Sequence, residues 1–259
     1  MDLGIEGKKA IICASSKGLG KACALSLVQE GVGVVINARN PDTLKETQQE
    51  LLDLKRGAVD LVVADLNTQE GRETLISMCP DADILINNNG GPPPKNFLDT
   101  SENDWSEAIN SNMLTPIFLI KSLLPGMQER KFGRIINITS AMVKSPNPIM
   151  GLSTAARTGL TALSKGVSKQ VAEDNVTINN LLPERFDTDR QVFITELIME
   201  NKGISREAAR KEIVSTIAAK RFGKPEELGA VCAFLCSKHA GFISGQNIQL
   251  DGGSYEGLV

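Results

Sequence analysis

The chain has 259 residues, with 28 Lys and Arg against 31 Asp and Glu and a formal charge of −3. Its 41% apolar and 23% charged residues suffice for a full core, which excludes general disorder. Mild acidity and 4% aromatics leave no basic stripe or stacking platform for nucleic acid, and five scattered cysteines exclude a disulfide scaffold. The first nine residues carry charges at Asp2, Glu6, Lys8 and Lys9 and no apolar run, so no signal peptide is expected. No stretch reaches the roughly 18 apolar residues of a membrane helix. A cytoplasmic protein with no membrane and no nucleic-acid partner is expected.

Ala10, Ile11, Ile12 and Cys13 predict a first buried strand, bounded by charge before it and Ser15, Ser16, Lys17 and Gly18 after it. Residues 21–30 follow as a helix with Ala22, Leu25 and Val28 on one face. Residues 33–36 predict a second strand, and Pro41 opens a helix whose buried face holds Leu44, Leu51 and Leu54. Residues 59–64 predict a third strand. Residues 84–86 predict a fourth, stopped by Asn87, Asn88, Asn89, Gly90 and Gly91. One long helix is predicted over about 102–130, a fifth strand over 134–139, and a second long helix over about 151–172. Residues 176–182 and 247–250 give the sixth and seventh strands. This alternation predicts an α/β fold, a doubly wound parallel sheet of about seven strands with helices on both faces. No composition shift divides the chain, so residues 1–259 form a single domain. The polar helical segment at about 187–219 reads as a lid over the carboxyl ends of the strands.

The turn Ala14-Ser15-Ser16-Lys17-Gly18-Leu19-Gly20 joins the first strand to its helix. Glycines there let the backbone approach a pyrophosphate, and the helix N-terminus supplies donors. Asp65 and Leu66 after the third strand, Asn88, Asn89 and Gly90 after the fourth, and Arg39 after the second fall on the same sheet edge.

These residues resemble the short-chain dehydrogenase/reductase family along essentially the whole chain. The family's Thr-Gly-x-x-x-Gly-x-Gly is Cys13-Ala14-x-x-x-Gly18-Leu19-Gly20 here, and its Asn-Asn-Ala-Gly is Asn87-Asn88-Asn89-Gly90. Its helix Asn matches Asn112, thirteen residues before Pro125, and its Ser matches Ser140 in Asn137-Ile138-Thr139-Ser140. Its Pro-Gly becomes Pro183-Glu184, followed by Thr188. Its Arg-x-Gly-x-Pro-Glu-Glu runs from Arg221 to Glu227, and Asp251-Gly252-Gly253 closes the pattern. Bacterial 3-oxoacyl-acyl-carrier-protein reductases look like the nearest general relatives. The resemblance implies a Rossmann-type fold, a homotetramer, and hydride transfer between a nicotinamide cofactor and a small-molecule carbonyl or alcohol. It also places Ser15, Ser16, Pro183, Glu184 and Thr188 with the loop residues around the cofactor. No acidic residue ends the second strand, while Arg39 and Lys17 suit a 2′-phosphate, so NADP(H) is expected over NAD(H).

The catalytic pattern breaks. The family's Tyr and Lys positions, thirteen residues after Ser140 and four further, hold Ser153 and Arg157, and the single tyrosine is Tyr255. A serine hydroxyl is a far weaker acid than a phenol, and each unit of pKa mismatch costs about 1.4 kcal/mol. The reading adopted is a reductase with altered proton delivery. Ser140 and Ser153 bind the carbonyl oxygen, Arg157 holds the ribose and stabilises the alkoxide, and water through Asn112 supplies the proton. The alternatives are a non-catalytic NADP(H)-binding or scaffold protein, non-redox chemistry with Glu184 as base, and Tyr255 reaching a neighbouring subunit's site. Cys232, Cys236 and His239 share a helical face but read as core and helix end, so no metal is expected. The lid mixes apolar Val192, Phe193, Ile194, Leu197 and Ile198 with Lys202, Arg206, Arg210 and Lys211, and does not name a substrate.

Overall fold

The structure is a computed structural model and describes residues 1–258. Strands β1 (Lys9–Ile12), β2 (Gly33–Ala38), β3 (Val59–Val63), β4 (Ile84–Asn87), β5 (Gly133–Ile138), β6 (Val176–Pro183) and β7 (Asn247–Leu250) form one sheet. All pairs are parallel, in the order β3-β2-β1-β4-β5-β6-β7. Successive side chains on a strand point to opposite faces, and both faces are covered. Ile12, Ile36, Ile84 and Ile86 pack on one side with Leu27 of α1 (Gly18–Gln29), Leu44 of α2 (Pro41–Leu52) and Leu228 of a late helix. Ile11, Val35, Leu85, Ile135 and Ile178 pack on the other with Leu75, Leu119, Leu123 and Leu160. The order reverses between β1 and β4, which opens a crevice at their carboxyl ends.

Helix α3 (Gln69–Met78) was not legible in the sequence, because only Gly71 and Leu75 on it are buried. Its start is fixed by Thr68, whose hydroxyl accepts the Gly71 N–H at 3.0 Å. The long helix expected over 102–130 is broken. Helix α4 (Glu102–Ile109) passes through a π turn at Asn110–Leu114 into α5 (Thr115–Glu129). Pro116, at the start of α5, has no N–H to continue the ladder, and Asn112 within the turn is buried. Helix α6 (Gly151–Val171) follows β5. Between β6 and β7 stand α7 (Asp189–Lys202), α8 (Arg206–Ser215) and α9 (Pro225–Cys236). No helix among the described residues is long and apolar enough to cross a membrane.

Four asparagines stand in register across β4, β5, β6 and β7: Asn87, Asn137, Asn180 and Asn247. The Asn87 amide donates to Asn137 Oδ1 at 2.9 Å, Asn137 to Asn180 Oδ1 at 2.9 Å, and Asn180 to Asn247 Oδ1 at 2.8 Å. Asn137 also donates to Ser164 Oγ of α6 at 3.0 Å. A slip of one residue would break every rung and turn these amides to the opposite face. The ladder therefore fixes the heights at which the loops after β4, β5 and β6 leave the sheet. Asn137→Ala strands the Asn87 donor and the Asn180 acceptor in the core. We expect urea denaturation to report a loss of about 2–4 kcal/mol.

Candidate active site

The loop after β1 is built around close backbone approach. Gly20 lies where an added Cβ would sit 2.4 Å from the Ala14 carbonyl oxygen and 2.9 Å from Asn88 Nδ2. Asn88 Nδ2 donates to that carbonyl at 3.1 Å, tying the loops after β1 and β4 together. Ala14 holds φ +45°, in the left-handed region that favours glycine, where the family pattern has glycine. Ser15 is fully buried; its hydroxyl donates to Ile12 O and accepts the Asn37 N–H at 3.0 Å. It shapes the loop from inside, and Gly20 likewise packs beneath it.

Ser16, Lys17, Arg39, Asp65 and Leu66 surround a hollow that continues along Asn88, Asn89 and Gly90. Arg39 is exposed at its rim, and Asn37 at the end of β2 turns its amide inward to Val62 O and Ala64 O. No carboxylate follows β2 there. The cations Lys17 and Arg39, which both line this hollow, fit a phosphorylated dinucleotide.

The hollow runs on past Gly18, Leu19, Ser140, Ser153, Pro183 and Thr188. Ser140 follows β5, and its Oγ accepts the Met142 N–H at 3.2 Å. Ser153 and Arg157 are one helical turn apart on α6 and both buried. Arg157 donates from Nε to Ser153 Oγ (3.2 Å), from Nη1 to Ile138 O (2.7 Å) and from Nη2 to Asn89 O (3.2 Å). Three of its five N–H groups are thus engaged, none by a carboxylate. Burial pushes its pKa down to about 10, helped by the nearby Arg190 charge, so it stays a cation at neutral pH. Gly91 passes in front of this pair. A Cβ there would lie 3.6 Å from Arg157 Nη2 and 3.8 Å from Ser153 Oγ, so glycine keeps that space open. Asn112 lies behind Arg157 in a small internal cavity shared with Asn87. The Asn112 amide donates to Ser111 Oγ at 2.7 Å, while Asn112 Oδ1 and Asn87 Oδ1 are buried without a hydrogen-bond partner.

Glu184 is not brought to this cleft. Its N–H bonds Leu250 O at 2.9 Å, extending the β6–β7 ladder, so its side chain alternates away from Pro183. It pairs with Arg185 at 3.5 Å and lines a separate hollow with Asp251. This geometry removes the basis for Glu184 as a cofactor contact or base. Tyr255 is also outside the cleft lining, with Lys144 5.4 Å from its ring. His239 bonds Asp2 O at 2.8 Å, and no group of His, Cys, Asp or Glu among the described residues is arranged to hold a metal.

The excursion after β6 lies across the cleft. Thr188 Cγ2 lies 3.5 Å from where a Gly18 Cβ would be. Asp189 pairs with Lys17 at 3.2 Å, and Arg190 Nη2 donates to Pro92 O at 2.9 Å. Gly91, Arg190 and Gln191 line the cleft and were missed by sequence reasoning. The available signal was a cation at the second residue of a helix, a position where the macrodipole disfavours it.

A parallel sheet with a glycine-turn cleft at its switch point defines a Rossmann-type nucleotide-binding protein. Residues 13–255 match the family described as enoyl-(acyl carrier protein) reductase, and the chain belongs to this family of short-chain dehydrogenase/reductases. It is 34% identical over 256 residues to the NADPH-dependent reductase BacG of Bacillus subtilis, covering 97% of this chain and 99% of the relative. It is 30% identical to the 3-oxoacyl-[acyl-carrier-protein] reductase FabG of Vibrio harveyi, over 98% and 99% of the two chains. Among solved structures, L-sorbose reductase from Gluconobacter frateurii in complex with NADPH and L-sorbose superposes with TM-score 0.94 at 29% identity over 100% of both chains.

The loop geometry gives two opposite expectations for thermal denaturation. Ala14→Gly relieves the left-handed strain and stabilises by up to about 1 kcal/mol. Gly20→Ala forces a side chain onto the Ala14 carbonyl and destabilises by about 1–3 kcal/mol.

Proposed function

We propose that the chain is an NADP(H)-dependent oxidoreductase that reduces small-molecule carbonyls at an active site of Ser140, Ser153 and Arg157. The observation that carries this reading is the buried guanidinium of Arg157, which lines the cleft and has two N–H groups uncommitted. The cofactor, when bound, supplies the hydride. Ser15 and Gly20 set the loop for it from within. Ser16, Lys17, Gly18 and Leu19 would hold its phosphates, Arg39 its 2′-phosphate, Asp65 and Leu66 its base, and Asn88, Asn89, Gly90, Pro183, Thr188 and Arg157 its nicotinamide end.

The chain's own groups do the rest. Ser153 Oγ accepts a hydrogen bond from Arg157, and Ser140 Oγ accepts one from Met142. Each hydroxyl therefore keeps its own proton to donate to a substrate oxygen. Arg157, itself buried, adds fixed positive charge where negative charge grows in the transition state. It does not deliver the proton, because it remains protonated. Water reaching Asn112 through the cavity behind Arg157 protonates the alkoxide; the unpaired Asn112 and Asn87 oxygens support that route.

The test is NADPH oxidation against a panel of aldehydes and ketones. Arg157→Ala should lower kcat by about 10²–10³-fold. Arg39→Ala should lower the preference for NADPH over NADH at least tenfold, read as the ratio of kcat/KM values. Turnover found only in Ser153→Tyr/Arg157→Lys would contradict the reading and favour a non-catalytic NADP(H)-binding protein.

A further inference from the structure

Arg190 is the second residue of α7, where a positive charge opposes the helix dipole and gains nothing locally. Its guanidinium donates to the Pro92 carbonyl and lies 5.5 Å from the centre of the Phe193 ring. No carboxylate among the described residues pairs with it. The acids nearest in sequence are committed elsewhere: Asp189 to Lys17, Asp187 to both terminal nitrogens of Arg210, and Glu184 to Arg185. Arg190 and Arg157 line the same cleft, and the Arg190 charge acts unfavourably on Arg157. Two guanidiniums thus converge on one hollow, and no side-chain carboxylate among the described residues pairs with either. A third donor stands beside them. Gln191 is 5% exposed and lines the cleft, and its buried Nε2 has no hydrogen-bond partner. Met150, Phe186 and Ile138 supply apolar wall in the same hollow.

A neutral ketone would bring no anion of its own to this pair, leaving the Gln191 amide without a charged acceptor. A carboxylate matches the planar fork of a guanidinium bidentately and would take the amide donor as well. We propose that the substrate is an oxo acid whose carboxylate is bound by Arg190 and Gln191 while its carbonyl oxygen lies at Ser153 and Arg157. This rests on the reductase reading above. In the reduction, the carbonyl carbon gains a hydride from the reduced nicotinamide and its oxygen gains one proton drawn from bulk solvent and relayed by water. A hydroxy acid and the oxidised nicotinamide result, and the carboxylate is unchanged. Arg190 thereby becomes the residue that selects the substrate, and the start of α7 closes over the acid through the Arg190–Pro92 bond.

The experiment pairs pyruvate, acetoacetate and levulinate with their methyl esters. Two quantities are read: kcat/KM with NADPH, and calorimetric affinity for the NADP⁺-saturated protein. At least one acid should exceed its ester tenfold or more in both. Arg190→Gln should cut that acid-to-ester ratio at least tenfold, and Arg190→Lys should restore part of it. Arg206→Gln, which removes a surface pair with Glu196 on the same excursion, should keep the ratio. Esters that bind as well as the acids, no measurable binding of any acid, or an Arg190→Gln loss equal for acid and ester would overturn the proposal. The last result would make Arg190 only a latch to Pro92. Acids that bind better than esters without turnover would contradict the reductase reading and leave the carboxylate site standing.

Discussion

A guanidinium held inside a protein without a carboxylate is costly unless its hydrogen bonds are satisfied by fixed dipoles. Arg157 meets that condition by bonding carbonyls at the exits of two adjacent strands, Ile138 at the end of β5 and Asn89 just after β4, and a hydroxyl on its own helix. One side chain therefore locks α6 against the carboxyl edge of the sheet. The structure contains a useful contrast in Arg134, buried at the opposite edge. That guanidinium makes four hydrogen bonds, to Ser237 O, Gly133 O, Asn175 O and Asn175 Oδ1, against three for Arg157, and it lies over Phe132. Arg134 is spent on structure. Arg157 keeps two N–H groups without a hydrogen-bond partner and lines the cleft.

The positions of the Arg157 acceptors depend on the asparagine ladder, since Asn137 directly precedes Ile138 in β5 and Asn87 lies two residues before Asn89. The π turn at Asn110–Leu114 serves the same end from behind. By interrupting the α4–α5 helix it carries Asn112 into the cavity beneath Arg157 and leaves Ser111 O to accept the Asn89 amide at 2.9 Å. Ladder, turn and guanidinium form one connected polar framework between two hydrophobic layers. Among the buried atoms without a partner, Asn87 Oδ1 and Asn112 Oδ1 line the cavity beside Arg157 and Gln191 Nε2 lines the cleft; others, at Asn67, Thr154, Thr177 and Gln249, line neither.

The sheet and its edge were legible because parallel strands buried on both faces read as apolar runs, and the turn at residues 14–20 carries its own glycine signal. Spacing from Ser140, read against the family pattern, also points to Ser153 and Arg157. What sequence could not give were features decided by three-dimensional accounting. Helix α3 buries too little to produce a periodic stripe. The break at Asn110–Leu114 lies inside an uninterrupted helical pattern. Glu184 occupies a glycine position in the family pattern, yet the extra rung to Leu250 sends its side chain to the far side of the strand. Ser15 belongs to the loop motif but is consumed by Ile12 and Asn37. Arg190 reads as one more charge on a polar segment until the other charges around it are seen to be paired.

The central claim is that the fixed charge of Arg157 replaces a phenol and an ammonium as the electrostatic element of the site. Chemical rescue tests it most directly: NADPH oxidation by Arg157→Ala with its best carbonyl substrate, titrated with methylguanidinium and, at equal ionic strength, with methylammonium. The account predicts a deep loss of rate and saturable recovery with methylguanidinium, because only a planar fork can reach the vacated acceptors and the substrate oxygen together. A wild-type rate in Arg157→Ala, unchanged by either cation, would contradict it.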